Sequence, residues 1–394
     1  MKILLINHFP IDGSGSGTYT RNIAVHLTKK GHEVCVVMPE NTTNFDEIPD
    51  VKSYPVYFKH EETIAGALPF NFPCFTTHPR SVMTFYDLDD TQLSMYMDAF
   101  EKVINEAVEK FKPDIIHGQH IWLLTWLAIK TGVPYVVTAH GTDLMGYKKG
   151  ERFRKYADEA ALGAKKIITI SNDNNELVRE MFPHSADKAV FMQNGYDTDR
   201  FYPEPVPIEE IGKMLGITLK EKLVFFAGKL AHFKGIDVLL DAAKIYENEN
   251  PDTISTILAG AGELESVLKK QTEGNGLKNV HFVGHLNSTE LRKLYSSANV
   301  SVVPSRREPF GLVAIEALAC GCPVVATNQG GLTDIINEQV GALVEVEDAA
   351  DLAKALQKEV FGAERKERGS AAAKYALDNY AQGSLMDILI NIYK

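Results

Sequence analysis

The chain has 394 residues, 45% hydrophobic and 24% charged, an ordinary globular composition on a length that exceeds one typical core, so two domains are expected. A formal net charge of -11 argues against a dedicated nucleic-acid binder, which needs a basic field. Four scattered cysteines, Cys35, Cys74, Cys320 and Cys322, argue against a disulfide framework and read as reduced, mostly packed thiols.

The start, MKILLINHFP, has no long apolar region or cleavage site and reads as a first buried strand. No stretch approaches the ~20 apolar residues of a membrane span. A soluble, cytoplasmic protein is expected, with peripheral contact at the inner membrane face left open.

Short β-rich runs then alternate with helix-period segments, the pattern of βαβ units around a parallel sheet. KILLIN, EVCVVMP, DIIHGQ, PYVVTAH, KKIITIS and KAVFMQ predict strands, with helices near 18–30, 91–111, 121–131 and 172–182, the last capped by Ser171. NGYDTDRFYPEPVP, residues 194–207, carries a turn dipeptide and three prolines and reads as the linker. The rhythm repeats in KLVFFAG, TISTILAG, VHFVG, NVSVVPS, PVVAT and GALVEV. Residues 364–394 predict helix, and the stretch 64–85 is the least regular.

The segment SRREPFGLVAIEALACG, residues 305–321, places Glu308 in a loop and Glu316 inside the helix that follows, on its apolar stripe with Leu312 and Ala319. A carboxylate facing a core needs hydrogen-bond donors, and a hydroxyl-rich ligand supplies them. The backbone N–H groups of Phe310, Gly311, Leu312 and Val313 begin that helix, where a phosphate is favoured and Gly311 permits close approach. A nucleotide sugar has this layout of hydroxyls on both sides of phosphates. The residues alone leave a second reading open, in which Glu308 is a solvated loop charge and Glu316 a rim residue.

FFAGKLAHFKGIDVLL ends its strand at Gly228 and offers Lys229 and Lys234 in a strand-to-helix loop, where open α/β sheets bind ligands. Two cations there fit a diphosphate, although either one alone reads as a surface lysine.

GKLAHFKG, EPFGLVAIEALACGCPVVAT and the pair Gly330–Gly331, in this order, resemble the donor domain of GT-B glycosyltransferases, in particular the large retaining family four with its two glutamates spaced by seven residues. The resemblance covers nearly the whole chain. It implies two Rossmann-like α/β domains with parallel sheets facing a cleft: an acceptor-side domain at 1–200, a nucleotide-sugar donor domain at 201–376, and a C-terminal helix at 377–394 crossing back to the first. It implies that Glu316 holds the ribose hydroxyls, that Glu308 holds the donor sugar, and that Lys229 and Lys234 neutralise the diphosphate. Gly228 and the amides of Phe310, Gly311 and Leu312 line the same donor site. The family usually has arginine where this chain has Lys229, which keeps the charge and loses the bidentate fork.

In the first half, His140 of VTAHGTD is implied to lie near the anomeric carbon and to position the donor sugar, whereas His117 and His120 of IIHGQH read as structural. The glycine loop GSGSGTYT feeds a helix as a dinucleotide fingerprint does, but its spacing is wrong for G-x-G-x-x-G and its glycines come late after the strand. Glu40, at the end of the second strand, keeps an NAD-binding reading open. The family instead sets Gly17 beneath the donor phosphates, with Gly15 and Thr18 beside the acceptor.

GYKKGERFRK, residues 146–155, concentrates five basic residues; a solvated helix face and a site for an anionic acceptor or membrane surface, through Arg152 and Lys155, both fit it. ALPFNFPCF, residues 67–75, is either a lipid-facing loop or a packed lid. Asp87–Leu–Asp89 and Asp197–Thr–Asp199 match the Asp-x-Asp spelling of metal-dependent transferases, but both fall in irregular segments, and no metal or cofactor is expected. The implied reaction moves a hexose-type sugar from a UDP-sugar, favoured over a GDP-sugar, to a hydroxyl acceptor that is unspecified and either anionic or lipid-linked. A nucleotide-sugar epimerase or hydrolase of the same fold and an NAD-dependent oxidoreductase are the alternatives.

Overall fold

The computed structural model describes all residues except Glu62, Thr77 and Glu364. The chain forms two units, one made of Met1–Asn194 with Gln382–Lys394 and the other of Gly195–Ala381.

The first unit is built on seven strands, β1 (Lys2–Ile6), β2 (Glu33–Glu40), β3 (Lys52–Tyr57), β4 (Ile115–Gln119), β5 (Tyr135–Ala139), β6 (Ile167–Thr169) and β7 (Ala189–Phe191). All pair in parallel, in the order β3-β2-β1-β4-β5-β6-β7. Strand β1 is apolar without alternation because both its faces are covered. Leu4 and Ile6 join one core with Cys35, Val37 and Ile116, while Ile3 and Leu5 join another with Ile23 and Leu27 of the first helix, Gly15–Lys29.

The hydrophobic pattern does not announce β3. It is an edge strand, and Pro55 within it is tolerated there because only one side of the strand joins the ladder. In the segment that follows, Phe70, Phe72, Cys74 and Phe75 are all buried. The stretch 67–75 is therefore packed into the core, and the lipid-facing alternative is set aside.

The second unit has six parallel strands, β8 (Lys222–Ala227), β9 (Ile254–Ala259), β10 (Val280–Gly284), β11 (Val300–Val303), β12 (Val324–Thr327) and β13 (Gly341–Val344), in the order β10-β9-β8-β11-β12-β13. The region 364–394, read as helix, forms the helices Arg365–Tyr380 and Gln382–Tyr393 with a break at Ala381. At that break Ala381 bridges Tyr196, whose N–H donates to the Tyr380 carbonyl at 3.0 Å. The outgoing linker and the returning segment thus run side by side.

The last helix buries Leu385, Met386, Leu389 and Tyr393 in the same core as Ile3 and Leu5. Burial of side chains of this size is worth roughly 1.5–3 kcal/mol each, enough to hold a short helix to the first unit. No described helix is long and apolar enough to cross a membrane. In each sheet the strand order reverses once, between β1 and β4 and between β8 and β11. Such switch points, at the carboxyl ends of the strands, are where open α/β sheets bind ligands.

Candidate active site

In the second unit, the β8/β11 switch point brings Lys234 and Glu308, two of the residues singled out in sequence, into contact. Strand β8 ends at Ala227, and the N–H of Gly228 just beyond it donates to the Ala259 carbonyl. The loop beyond carries Lys229, 3.5 Å from Glu263, and a 3-10 turn, His232–Lys234, that ends at Gly235 in the left-handed region (φ 65°). From this turn Lys234 Nζ reaches Glu308 Oε2 at 2.5 Å. Ser305 Oγ donates to the same oxygen at 3.3 Å.

The loop after β11 is held from several sides. Arg306 makes a two-pronged pair with Asp237, both contacts at 2.8 Å, and a further one with Glu347. Thr327 Oγ1 donates to the Ser305 carbonyl at 2.6 Å, and the Glu308 N–H donates to Gln329 Oε1 at 3.2 Å. Gly331 N–H donates to the Glu308 carbonyl at 3.0 Å, and a Cβ at the preceding Gly330 would lie 2.2 Å from that same oxygen, so a side chain there would displace the glutamate loop. Gln329 carries no sequence signal of its own because it lies at no motif position; only the fold carries β12 beside β11.

The helix Leu312–Ala319 starts from Gly311 at φ 108°. The backbone N–H groups of Phe310, Gly311, Leu312 and Val313 find no acceptor among the described residues. They form the anion-favouring end of the helix that follows the Lys234–Glu308 pair. On this helix Glu316 is half-buried, and no hydrogen bond to its carboxyl is made by the described residues. Burial pushes its pKa up to about 8, and the charge of Arg200 opposes that rise without cancelling it.

In the first unit, the β1/β4 switch point gathers histidines. His8 Nδ1 donates to the Gln119 carbonyl at 2.9 Å, and its Nε2 accepts the Leu124 N–H at 3.1 Å. The His120 ring stands 5.4 Å from His8 and 4.8 Å from His140, with the backbone of His120 in the left-handed region at φ 78°. His140 Nε2 donates to Gln119 Oε1 at 2.8 Å. Asp143 ties the loops together, accepting from the N–H of Ile121 at 2.8 Å and of His140 at 3.1 Å. Burial lowers the pKa of His8 and His140 to about 3, that of His120 well below its ordinary value, and raises that of Asp143 to about 6.

His117 belongs to the framework, as its sequence context indicates: its ring nitrogens meet Tyr393 OH at 2.8 Å and Thr138 Oγ1 at 2.7 Å. Gln119 and Asp143 escape a reading of the sequence, although both lie inside the quoted motifs.

The first helix starts at Gly15, capped by Ser14, whose Oγ accepts the Gly17 N–H at 3.0 Å. Gly15 is exposed, Thr18 half-buried and Gly17 buried; a Cβ on Gly17 would sit 2.3 Å from the Pro10 carbonyl, which requires glycine at this turn. Glu40 is fully buried and paired with Arg80 at 2.8 Å, and Arg80 also pairs with Asp12 at 2.6 Å. A ribose-binding acid needs a carboxylate open to ligand, so this pairing removes the basis of the NAD-binding reading.

Arg152 and Lys155 lie outside the histidine group. Arg152 donates to the Leu88 carbonyl at 2.9 Å and faces Asp90 at 3.4 Å, and Lys155 stands 4.0 Å from Glu159. The Asp-x-Asp carboxylates also have local partners. Asp87 and Asp89 cap helical turns through Thr84 and Gln92, and Asp197 accepts the Asp199 N–H and faces Arg200. A surface groove of about 510 Å³ is lined by Lys165, Ile388 and Lys394, among others, but by none of these candidate residues.

Two doubly wound parallel sheets, one with a paired glutamate and lysine at its switch point and the other with a buried histidine group, define a glycosyltransferase of the GT-B class. The family described as Glycosyl transferases group 1 matches residues 207–375, and Glycosyltransferase Family 4 matches residues 13–200. The chain belongs to glycosyltransferase family four.

A glycogen synthase of Mycobacterium tuberculosis is 27% identical over 397 residues, covering 96% of this chain and 90% of that one. Among solved structures, sucrose-phosphate synthase from Thermosynechococcus elongatus superposes with a TM-score of 0.80 at 22% identity, over 100% of this chain and 98% of that one. The Anabaena protein HepE, in complex with UDP and glucose, gives 0.76 at 19% identity, over 99% and 98%. At these identities the structural likeness speaks for the fold.

Proposed function

We propose that this glycosyltransferase moves a hexose-type sugar from a nucleoside diphosphate sugar, UDP-linked in preference to GDP-linked, to a hydroxyl acceptor, with retention and without a metal ion. The observation that carries this reading is the Lys234–Glu308 pair beside the open amides of Phe310 to Val313. A lysine ammonium has three N–H donors, so Lys234 can hold Glu308 with one and a phosphate with another. Lys229 and the amides take the remaining diphosphate oxygens, with Gly228, whose own N–H is held by Ala259, leaving room for them; Glu308 takes donor-sugar hydroxyls, and Glu316 takes the ribose. The UDP bound to the Anabaena neighbour favours the uridine donor.

Breaking the sugar–phosphate bond develops negative charge on the departing oxygen, and preorganised cations and amides lower that barrier. In this mechanism the leaving phosphate takes the acceptor proton on the face it departs from, so no protein nucleophile is needed. His140 positions the donor sugar, with Gly17 beneath the phosphates. Gly15, Thr18, Arg152 and Lys155 serve the acceptor, which is anionic or lipid-linked.

The test is thermal stability with EDTA present, across uridine, guanosine and adenosine diphosphate sugars and NAD, in wild type and Glu316→Ala. Ligand at about a hundred times its dissociation constant adds ~2.7 kcal/mol. A shift with one sugar nucleotide that disappears in the variant supports the reading. A shift with NAD alone, or none with any sugar nucleotide, overturns it.

A further inference from the structure

Gln119 is fully buried at the end of β4, and its side chain makes one hydrogen bond among the described residues, to His140. Its amide nitrogen is buried without a partner. A glutamine kept for stability satisfies both ends of its amide, since an orphaned buried donor costs about 1–3 kcal/mol. This one forgoes that and holds a single imidazole. The register that pairs Ile6 with Gly118 sets Asn7 beside Gln119, and the Asn7 amide is likewise buried with neither polar atom partnered.

His140 is constrained on its other sides as well. Its ring meets Tyr19 edge-on at 5.1 Å and His120 at 4.8 Å, and its backbone N–H is fixed by Asp143. The titratable groups around it are His8 beyond β1, His117 on β4, His120 beyond β4, Tyr19 on the first helix, and Asp143. No hydrogen bond or ion pair links a carboxylate, lysine or arginine side chain to the ring among the described residues.

We infer that Gln119 is a positioning residue for His140. By accepting from Nε2–H it locks the neutral ring in one tautomer and leaves Nδ1 as an acceptor for a hydroxyl of the sugar. An imidazole so held offers a lone pair and no positive charge, which suits a sugar hydroxyl better than an anionic phosphate. This rests on the sugar-transfer reading above, but the state of the ring can be read without turnover.

The experiment uses the full chain labelled with 15N-histidine, the His140 signals being assigned by their loss in His140→Asn. Wild type is expected to show the Nε2-protonated neutral tautomer from pH 8 down to about 5.5, and Gln119→Leu a mixture of tautomers. A wild-type mixture, an Nδ1-protonated ring, or a Gln119→Leu spectrum identical to wild type overturns the inference.

Sugar-nucleotide turnover supplies the second arm. Gln119→Leu is expected to lower kcat roughly 10- to 100-fold, with little change in donor KM, because a misplaced contact near the reacting centre is felt in the transition state. Gln119→Glu keeps an acceptor at Nε2 and should recover much of that rate. Its carboxylate should also raise the His140 pKa by roughly 1–3 units and bring an acidic limb into the pH profile. Wild-type kcat in folded Gln119→Leu overturns the positioning role. A locked tautomer in a protein that neither binds nor turns over any nucleotide sugar leaves the hold on His140 standing and counts against the transfer reading instead.

Discussion

Lys234 and Glu308 meet at 2.5 Å across the β8/β11 switch point, with 16% and 10% of their side chains exposed. They are 74 residues apart in sequence, and adjacency of β8 and β11 in the sheet is what joins them. A pair this enclosed has lost most of its hydration, so its net worth to the fold is small, whereas breaking it is expensive.

Lys234→Ala should therefore destabilise the second unit by about 3 kcal/mol, because Glu308 is left buried without its cation. The double variant Lys234→Ala/Glu308→Ala should recover part of the loss. Guanidinium unfolding followed by circular dichroism completes the cycle. A double variant whose loss equals the sum of the singles would show that the two do not interact.

Glu316 gives a pH dependence of definite sign. Its pKa is about 8 in the fold, raised by burial, and ordinary in the unfolded chain. Between about pH 4.5 and 8 the native state holds a proton that the unfolded state has lost, so this group makes stability fall as pH rises. Glu316→Gln should remove that slope and be the more stable protein near pH 8. Parallel curves for the two proteins over this range would contradict the burial argument.

The histidine group has the opposite sign. His8, His117 and His140 titrate near 3 in the fold and near 6.5 when unfolded, and burial is the largest cause in each. Their contribution is complete above about pH 6.5 and is lost progressively as pH falls toward 3. At pH 5 each should cost about 2 kcal/mol. Both tryptophans, Trp122 and Trp126, lie in the first unit, so their fluorescence should report its unfolding on mild acidification. Fluorescence unchanged down to pH 4 would mean that the rings are not held neutral.

Arg80→Ala tests the fate of Glu40. With the guanidinium gone, a fully buried carboxylate loses its ion pair, and about 3 kcal/mol of stability should go with it. NAD should give no thermal shift in wild type. A clear NAD shift in wild type would reopen the oxidoreductase reading.

Much of the second unit is legible in the sequence. The carboxylates and the glycine-started helix occupy one continuous stretch, 305–321, whose local chemistry signals a loop followed by a helix. Most strands of both sheets are legible for a similar reason: runs covered on both faces are apolar without interruption, as in β1 and β12. Strand β3, half-exposed and containing a proline, carries no such signal.

The sequence by itself determined the alternation of strands and helices in both halves and which residue types carry the candidate chemistry, because hydrophobic period, turn residues and short motifs are local properties. Tertiary structure alone decided that Lys234 meets Glu308, that Arg80 takes Glu40 away from any ligand, and that Gln119 holds His140. Those contacts join residues brought together by strand order and by burial, and the free energy of a buried polar group depends on which partner the fold places beside it.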